Sequence, residues 1–383
     1  KIGGLTFDSS TSSQDLREFA ALFVSLDPAA KSIEDFRQEL ANLNVASIQI
    51  EDPRVLTVND NSATDPKVLQ KLRTKSAYGR VSVEAGRLTE SVREGGTLNF
   101  KQAKRAIQNI VDLMQHDEPA MLGFTTLRCH DQYTQKHSVN VALLSIALAN
   151  RVGYPKVELA DLGLAALFHD MGKAAIPLEV LNKPGEFTED EWTAMRSHPI
   201  EGVLSLAQLR GIVNLPSRMA AASFEHHMNL DYSGYPKLKT PWKLSLTGRI
   251  LMIADCYDAM TSSRVYRREP MAPAKVLNIM FQKSGKSFDA TLLKLFVTCV
   301  GIVPIGSVVE LTSDEFAVVL KPAADTANGE RPLVKVIADA QGNPVDGPEL
   351  DLTEKDDTGQ YRHSIIRIID NTEHKFDTSR YFV

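Results

Sequence analysis

From Gln135 to about Val303, apolar residues return at helical spacing. Gln135–Val152, Lys156–His169, Glu189–Leu206, Ser217–His227, Leu244–Ala259, Pro273–Phe281 and Asp289–Cys299 each read as a helix. Upstream, Ser12 predicts the cap of a helix running to about Leu26. Asp15 stands three residues on, where a capping box usually has Glu, and Leu16, Phe19, Ala20 and Phe23 form the apolar face. A second helix is predicted over Ser32–Leu43, followed by short β-branched strands over Val45–Ile50 and Arg54–Val58. Asn59–Pro66 is polar and turn-rich, as a linker is, and helices resume from about Lys67 and over Asn99–Gln115. After Pro304 the period changes. Ser307–Leu311 and Phe316–Leu320 predict a hairpin about Ser313–Asp314–Glu315, and Leu333–Ala338 and Ile365–Ile369 add strands. A disordered tail with one hairpin is the other reading of this polar segment.

The fold class is therefore mainly α. Residues 1–65 form a small N-terminal α/β region, 66–120 a helical connector, 121–304 a helical domain and 305–383 a β-rich C-terminal extension. A chain of 383 residues exceeds one domain's usual length, which agrees with that division. No run of 18 apolar residues occurs, so no membrane span is expected. The formal net charge of −5 argues against a duplex-binding face, but a small anion can still bind in a locally positive pocket. Cys129, Cys256 and Cys299 are far apart and share no CxxC spacing. They read as buried thiols of a reducing compartment, which makes the expected location cytoplasmic. The sequence begins at Lys1 with no signal-peptide pattern.

Candidate chemistry gathers in the helical region. His137, His169–Asp170, His198, His226–His227 and Asp255 combine imidazole with carboxylate, a donor set that suits Fe, Mn, Zn and similar ions. A lone helical histidine is more often a surface or satisfied core residue, so His116, His130, His363 and His374 are set aside. His169–Asp170 differs because it ends the apolar run Leu162–Phe168, where an unpartnered imidazole and carboxylate would cost several kcal/mol to bury. His226–His227 likewise ends a helix. Adjacent helical side chains point about 100° apart, so both rings reach one ion only where the backbone leaves the helix or the ion lies between their directions.

These segments resemble the HD-GYP family, a branch of the HD metal-dependent phosphohydrolases. The strings that carry the resemblance are YTQKHS at 133–138, HDMGK at 169–173, IP at 176–177, LNKPGEFTEDEW at 181–192, HPIEG at 198–202, HHMNLDYSGYP at 226–236 and IADCYDAMTSSRVYR at 253–267. They occur in order over roughly residues 125–300. The resemblance implies a helical HD-type domain with a binuclear metal centre. One ion is assigned to His137, His169, Asp170 and Asp255, and the second, bridged by Asp170, to His198, His226 and His227. It places Lys173 near the attacked phosphate, with Asp170 and Lys173 as the catalytic pair. Arg264 and Arg267 match phosphate-contacting positions, and Gly234–Tyr235–Pro236 borders the site and is implicated in contacts with signalling proteins. Asp258 is a candidate to hold a ligand imidazole or an arginine, with a helix-surface or capping role as the alternative.

Two departures stand out. Tyr133 occupies the position of a glutamate that holds a third metal in some members, and tyrosine is a poor ligand near neutrality, so two ions are expected. Met228, Asn229 and Tyr232 replace residues of the HHERxDGxGYP string common in relatives. The implied cofactors are two divalent transition-metal ions, Fe or Mn first, with Zn, Ni or Co as alternatives. The implied reaction is hydrolysis of cyclic di-GMP to linear pGpG, with a further cut to GMP left open. The alternatives are a phosphodiesterase for cyclic GMP–AMP, or a non-catalytic sensor of a cyclic dinucleotide or a partner. A homodimer is also compatible. Residues 1–65 show no convincing phosphoacceptor constellation, and they have too few strands for a receiver domain.

Overall fold

The computed structural model describes residues 4–7, 11–25, 33–43, 45, 47–51, 66–93, 100–126, 133–208, 217–240, 242–262, 271–323, 328–369, 376, 378 and 381–382. The strand expected at Arg54–Val58 and most of the linker after it lie outside these residues. The chain forms two compact units, Lys1–Gln70 and Lys71–Val383.

In the first unit, β1 (Gly4–Phe7), α1 (Ser13–Ser25), α2 (Ile33–Asn42) and β2 (Ile48–Glu51) follow one another. Ser12 and Asp15 complete the capping box. The Ser12 N–H donates to Asp15 Oδ2 at 3.0 Å and the Asp15 N–H to Ser12 Oγ at 3.1 Å. β1 was not foreseen, because four residues that open on glycine offer little alternation to read. It pairs antiparallel with β2, from Gly4 opposite Glu51 to Phe7 opposite Ile48. Leu40, Val45 and Ile48 pack with Phe19 and Leu22 into a small core.

Helix α3 (Pro66–Arg93) leads into the second unit and is followed by α4 (Phe100–Gly123). The latter breaks at Asp117 (φ −153°, ψ 77°), two residues before Pro119. Proline has no N–H for the helical ladder and is tolerated only in the first turn of a helix, so the chain restarts its helix just ahead of Pro119. Asp117 Oδ1 accepts the Ala120 N–H at 3.2 Å and so caps the restart. The helical body continues as α5 (Tyr133–Val152), α6 (Lys156–Phe168), α7 (Leu178–Leu181), α8 (Glu189–Arg196), α9 (His198–Gln208), α10 (Ser217–Glu225), α11 (Leu246–Thr261), α12 (Pro273–Gln282) and α13 (Ala290–Val300). Thr188 with Glu191, Ser245 and Asp289 cap α8, α11 and α13. The single helix expected over Glu189–Leu206 is two helices, parted at Ser197 just before Pro199.

Helices α5 and α6 are the centre of the unit, buried from His137 to Ala149 and from Leu162 to Phe168. Such helices are apolar around most of their circumference because neighbours cover every side. A Cβ on Gly163 would stand 2.8 Å from side-chain carbons of Ile107 and Ile146, so α6 needs glycine where α4 and α5 press closest. One continuous core joins Ala77 and Val81 on α3, Ile107 on α4, Leu143 on α5, Ile253 on α11 and Phe296 on α13 to the C-terminal sheet residues Val318 and Ile337.

That sheet replaces the disordered-tail reading. Its strands β3 (Val308–Leu311), β4 (Phe316–Lys321), β5 (Leu333–Ala338), β6 (Glu349–Asp351) and β7 (Ile365–Ile369) are ordered β6-β5-β4-β3-β7, all antiparallel. Val309, Leu311, Val319, Val334, Val336 and Leu352 fill its own small core. β6, three half-exposed or exposed residues at the sheet edge, has no apolar pattern to announce it. Among the described residues no helix is long and apolar enough to cross a membrane.

Because Ile107 is fully buried where α4 meets the centre of the unit, Ile107→Ala is expected to cost about 2–5 kcal/mol. Urea denaturation checks this. A single transition shifted to lower urea is expected, and an unchanged midpoint would show that α4 is not part of the shared core.

Candidate metal centre

The sequence-predicted ligands converge from the ends of four helices and the middle of a fifth. His137 lies in the first turns of α5, His169 directly follows α6, His198 opens α9, His226–His227 directly follows α10, and Asp255 faces them from the middle of α11. Asp170 begins the short turn Met171–Ala175. His137, His169, Asp170, His198, His226 and Asp255 are all buried, and the His227 side chain is 27% exposed. Two groups of ligating atoms form, His137–His169–Asp170 and Asp170–His198–His226–His227, with Asp170 common to both. Asp255 Oδ1 stands 3.1 Å from His137 Nε2 and 3.8 Å from His169 Nε2, beside the first group.

One local device orients three of the rings. Nδ1 of His169, His198 and His226 lies 2.7 Å from the carbonyl oxygen three residues earlier, on Ala166, Met195 and Ser223 respectively. The last carbonyls of a helix lack a partner in the next turn, so an imidazole just past the end can fold back onto one of them. At Met195 the oxygen is available because Pro199 has no N–H to return to it. A carbonyl only accepts, so Nδ1 carries the proton in each neutral ring and the Nε2 lone pair points inward. His137 is turned by a carboxylate instead, its Nδ1 donating to Asp258 Oδ2 at 2.7 Å. Asp258 thus fixes the orientation of the His137 ring.

Glycine is required at two points of this frame. A Cβ on Gly172 would fall 1.9 Å from the His198 carbonyl oxygen, and one on Gly234 would fall 1.9 Å from that of His227. The Tyr235 N–H donates to the same His227 oxygen at 2.9 Å, and the Tyr235 ring lies 4.7 Å from the His227 ring. Gly234, Tyr235 and the half-buried Pro236 thus form a collar on His227. Tyr232 has φ 61°, a left-handed conformation that suits the glycine relatives carry there. Its hydroxyl compensates by donating to the Trp242 carbonyl. Asn229 (φ 56°) bonds Ser233 Oγ through its amide, and Met228 is buried in the core.

Sequence reasoning passed over three residues of this frame. Glu225, buried just before the histidine pair, accepts from Trp242 Nε1 at 2.7 Å and from the Ser245 N–H at 3.0 Å, and so ties down the loop. Ser223 donates to the His169 carbonyl at 3.0 Å. Asn140 donates to Asp258 Oδ1 at 2.8 Å. The signal at Asn140 is a polar residue one turn after His137 that opens an apolar run. Arg264 and Arg267 lie outside the described residues.

The electrostatics are those of a site built for cations. Burial raises the pKa of Asp170, but Lys173 and His169 overcome this and hold it well below the usual carboxylate range. Lys173 Nζ is 2.5 Å from Asp170 Oδ2. Asp255 is likewise held low against burial, chiefly by its bond to His137. Burial opposes a proton on His137, yet Asp255 and Asp258 push its pKa up to about 9. Burial, with Lys173 and His226 adding to it, brings His198 down to about 3 despite Asp170. His227 is lowered by burial and by His226.

The donor set fits divalent metals. His198 Nε2 and His226 Nε2 are only 3.1 Å apart, and in the neutral rings no hydrogen lies between them. That is about the separation of two nitrogens bound side by side at roughly 2.0–2.1 Å from one ion. His169 Nε2 and Asp170 Oδ1 are buried without a hydrogen-bond partner among the described residues, 3.4 Å being the closest approach of either to the opposing charged group. Such atoms are costly to bury unless something else satisfies them.

A family model described as HD domain matches residues 124–292. The chain is 31% identical to a cyclic di-GMP phosphodiesterase of Pseudomonas aeruginosa over 92% of its own length and 82% of the relative's. It is 30% identical to a 3′3′-cGAMP-specific phosphodiesterase of Vibrio cholerae, spanning 54% of this chain and just over half, 53%, of that relative. Among solved structures it is similar to an HDG"Y"P protein from Bdellovibrio bacteriovorus, with a TM-score of 0.48 and 20% identity over 62% of this chain and 73% of that one. The chain belongs to the HD-domain superfamily, within its HD-GYP-type cyclic di-GMP phosphodiesterase family.

Proposed function

We propose that this chain hydrolyses cyclic di-GMP to linear pGpG at a binuclear centre of Fe or Mn. The observation that carries this reading is the convergence of His198 and His226 on each other at 3.1 Å, with Asp170 beside both. In this reading His137, His169, Asp170 and Asp255 hold one ion, and Asp170, His198, His226 and His227 the other. When bound, the two ions supply Lewis-acid polarisation of phosphoryl oxygens and activation of the attacking water.

The chain's own groups do the rest. Asp170, buried, held in its ionised form and common to both ligand groups, would help to hold both ions. Lys173, 21% exposed at the edge of the site, is close enough to Asp170 to meet the charge that develops on a phosphate there. Arg264 and Arg267 are assigned to the remaining phosphate oxygens on the resemblance alone, a role suited to a guanidinium fork. Tyr235 braces His227 and borders the substrate space. The same reading carries a cytoplasmic setting, in keeping with Cys299 as a buried thiol whose pKa is pushed up to about 12 by burial. It also carries a homodimer and a signalling-protein contact through Gly234–Tyr235–Pro236, as well as the division at residues 65, 120 and 304.

Similarity to the cGAMP-specific relative favours cyclic GMP–AMP as the competing substrate. Chromatography of products from protein reconstituted anaerobically with Fe or Mn, offered both dinucleotides in parallel, tests the choice. Linear pGpG is expected from cyclic di-GMP. Faster opening of cyclic GMP–AMP would transfer the assignment, and two intact substrates with binding retained would make the chain a sensor.

His137 provides a pH test. Its pKa of about 9 in the metal-free protein means that Nε2 is protonated at pH 7.5, whereas a ligand imidazole must offer that lone pair. Metal uptake at pH 7.5 is expected to release about one proton from this ring, and affinity to rise with pH until about 9. Calorimetry in buffers of different ionisation enthalpy measures this, and proton-free uptake would contradict the role of His137.

A further inference from the structure

A buried chain of hydrogen bonds leads away from the metal centre. Asp258 Oδ2 accepts from His137 Nδ1 at 2.7 Å, and its Oδ1 accepts from Asn140 Nδ2 at 2.8 Å and from Ser262 Oγ at 3.2 Å. Asn140 Nδ2 also reaches the Thr125 carbonyl at 3.3 Å, and Asn140 Oδ1 lies 3.1 Å from the Tyr78 hydroxyl. His137, Asn140 and Asp258 are at most 2% exposed and Tyr78 is 8% exposed.

The direction of each bond is fixed by chemistry. An ionised carboxylate and a backbone carbonyl only accept, so the Asn140 amide nitrogen must face both and its oxygen must face Tyr78. The Tyr78 hydroxyl is then the donor. Reversing the amide would set its oxygen against Asp258 and leave a buried carboxylate without that partner. Tyr78 itself is set by the ring of Phe124, stacked at 5.1 Å and 25°. The His137 ring is thus oriented by Asp258, Asp258 by Asn140, and Asn140 by Tyr78. The last of these sits on α3, outside the residues 124–292 matched by the HD family model.

We propose that Tyr78 and Asn140 are positioning residues for the His137 half of the metal centre, so that metal binding in that half depends on the seating of α3. The His198–His226 half does not share this dependence. Its rings are oriented by Met195 and Ser223, backbone carbonyls of their own helical segments. This rests on the binuclear reading above and adds a residue distant from the ions that acts on one of them selectively.

The test is Mn²⁺ titration of metal-free protein, followed by calorimetry and by electron paramagnetic resonance, which distinguishes coupled pairs of ions from single ones. Tyr78→Phe keeps the ring and its stack on Phe124 and removes only the hydroxyl. Asn140→Ala removes the link itself. Loss of groups that orient a ligand commonly lowers metal affinity 10–100-fold. Tyr78→Phe is expected near the low end, about tenfold, and Asn140→Ala is expected to lose more. In both, one site weakens while the other keeps its affinity, and single-ion signal grows at Mn²⁺ levels that give the parent a coupled pair. Thermal midpoints are measured alongside. Two sites of parental affinity in Tyr78→Phe would overturn the proposal even if Asn140→Ala failed to fold, and so would equal weakening of both sites. A parent protein that takes up no Mn²⁺ would overturn the binuclear reading, and this inference with it.

Discussion

Seven side chains able to ligate a metal point into one small volume, six of them buried, and His169, His198 and His226, each held through Nδ1 by a carbonyl, turn Nε2 toward the centre. Left to themselves, such groups repel and lose hydration, each at a cost of the order of a few kcal/mol. The rest of the helical unit is organised to withstand that cost. Imidazoles fold back onto helix-end carbonyls, Asp258 grips His137, and the apolar lengths of α5 and α6 supply the burial that holds the pieces in place. A cation between the lone pairs turns the same arrangement from repulsive to attractive, which is why the site reads as a metal centre.

The order of residues along the chain follows from this constraint. A histidine placed just beyond a helix finds an unpartnered carbonyl three residues back, and the turn it begins frees the neighbouring residue to face the site as well. HD after α6 and HH after α10 are two uses of that position, and His198 with Pro199 is a third. Gly172 and Gly234 belong to the same design, since each lets a turn press against the carbonyl of a ligand histidine. At Tyr232 the chain departs from it, keeping a left-handed backbone without the glycine and anchoring the ring on the Trp242 carbonyl.

Much of this is legible in the sequence because long apolar periods and polar residues at their ends are strong signals. Apart from the single-turn α7, the helices of residues 133–300 and the strands at 308–311, 316–321, 333–338 and 365–369 fall close to where spacing puts them. The failures are local. The break at Ser197 is hidden within one continuous amphipathic run, and β1 and β6 are too short to alternate. Asn140, Glu225 and Tyr78 escaped because each acts on a residue far along the chain. Their partners Asp258, Trp242 and Asn140 are 118, 17 and 62 positions away, and only the fold brings them together. The composition of a helix face tells that a polar residue is buried, but not what it holds.

The shared carboxylate of Asp170 is where the account is most exposed to refutation. X-ray anomalous scattering at the metal edge, from crystals of metal-loaded parent protein and of Asp170→Asn, examines it directly. Two peaks flanking Asp170, about 3.5–4 Å apart, are predicted in the parent, with both depleted in the variant. A single peak in the parent, or two undiminished peaks in Asp170→Asn, would contradict it.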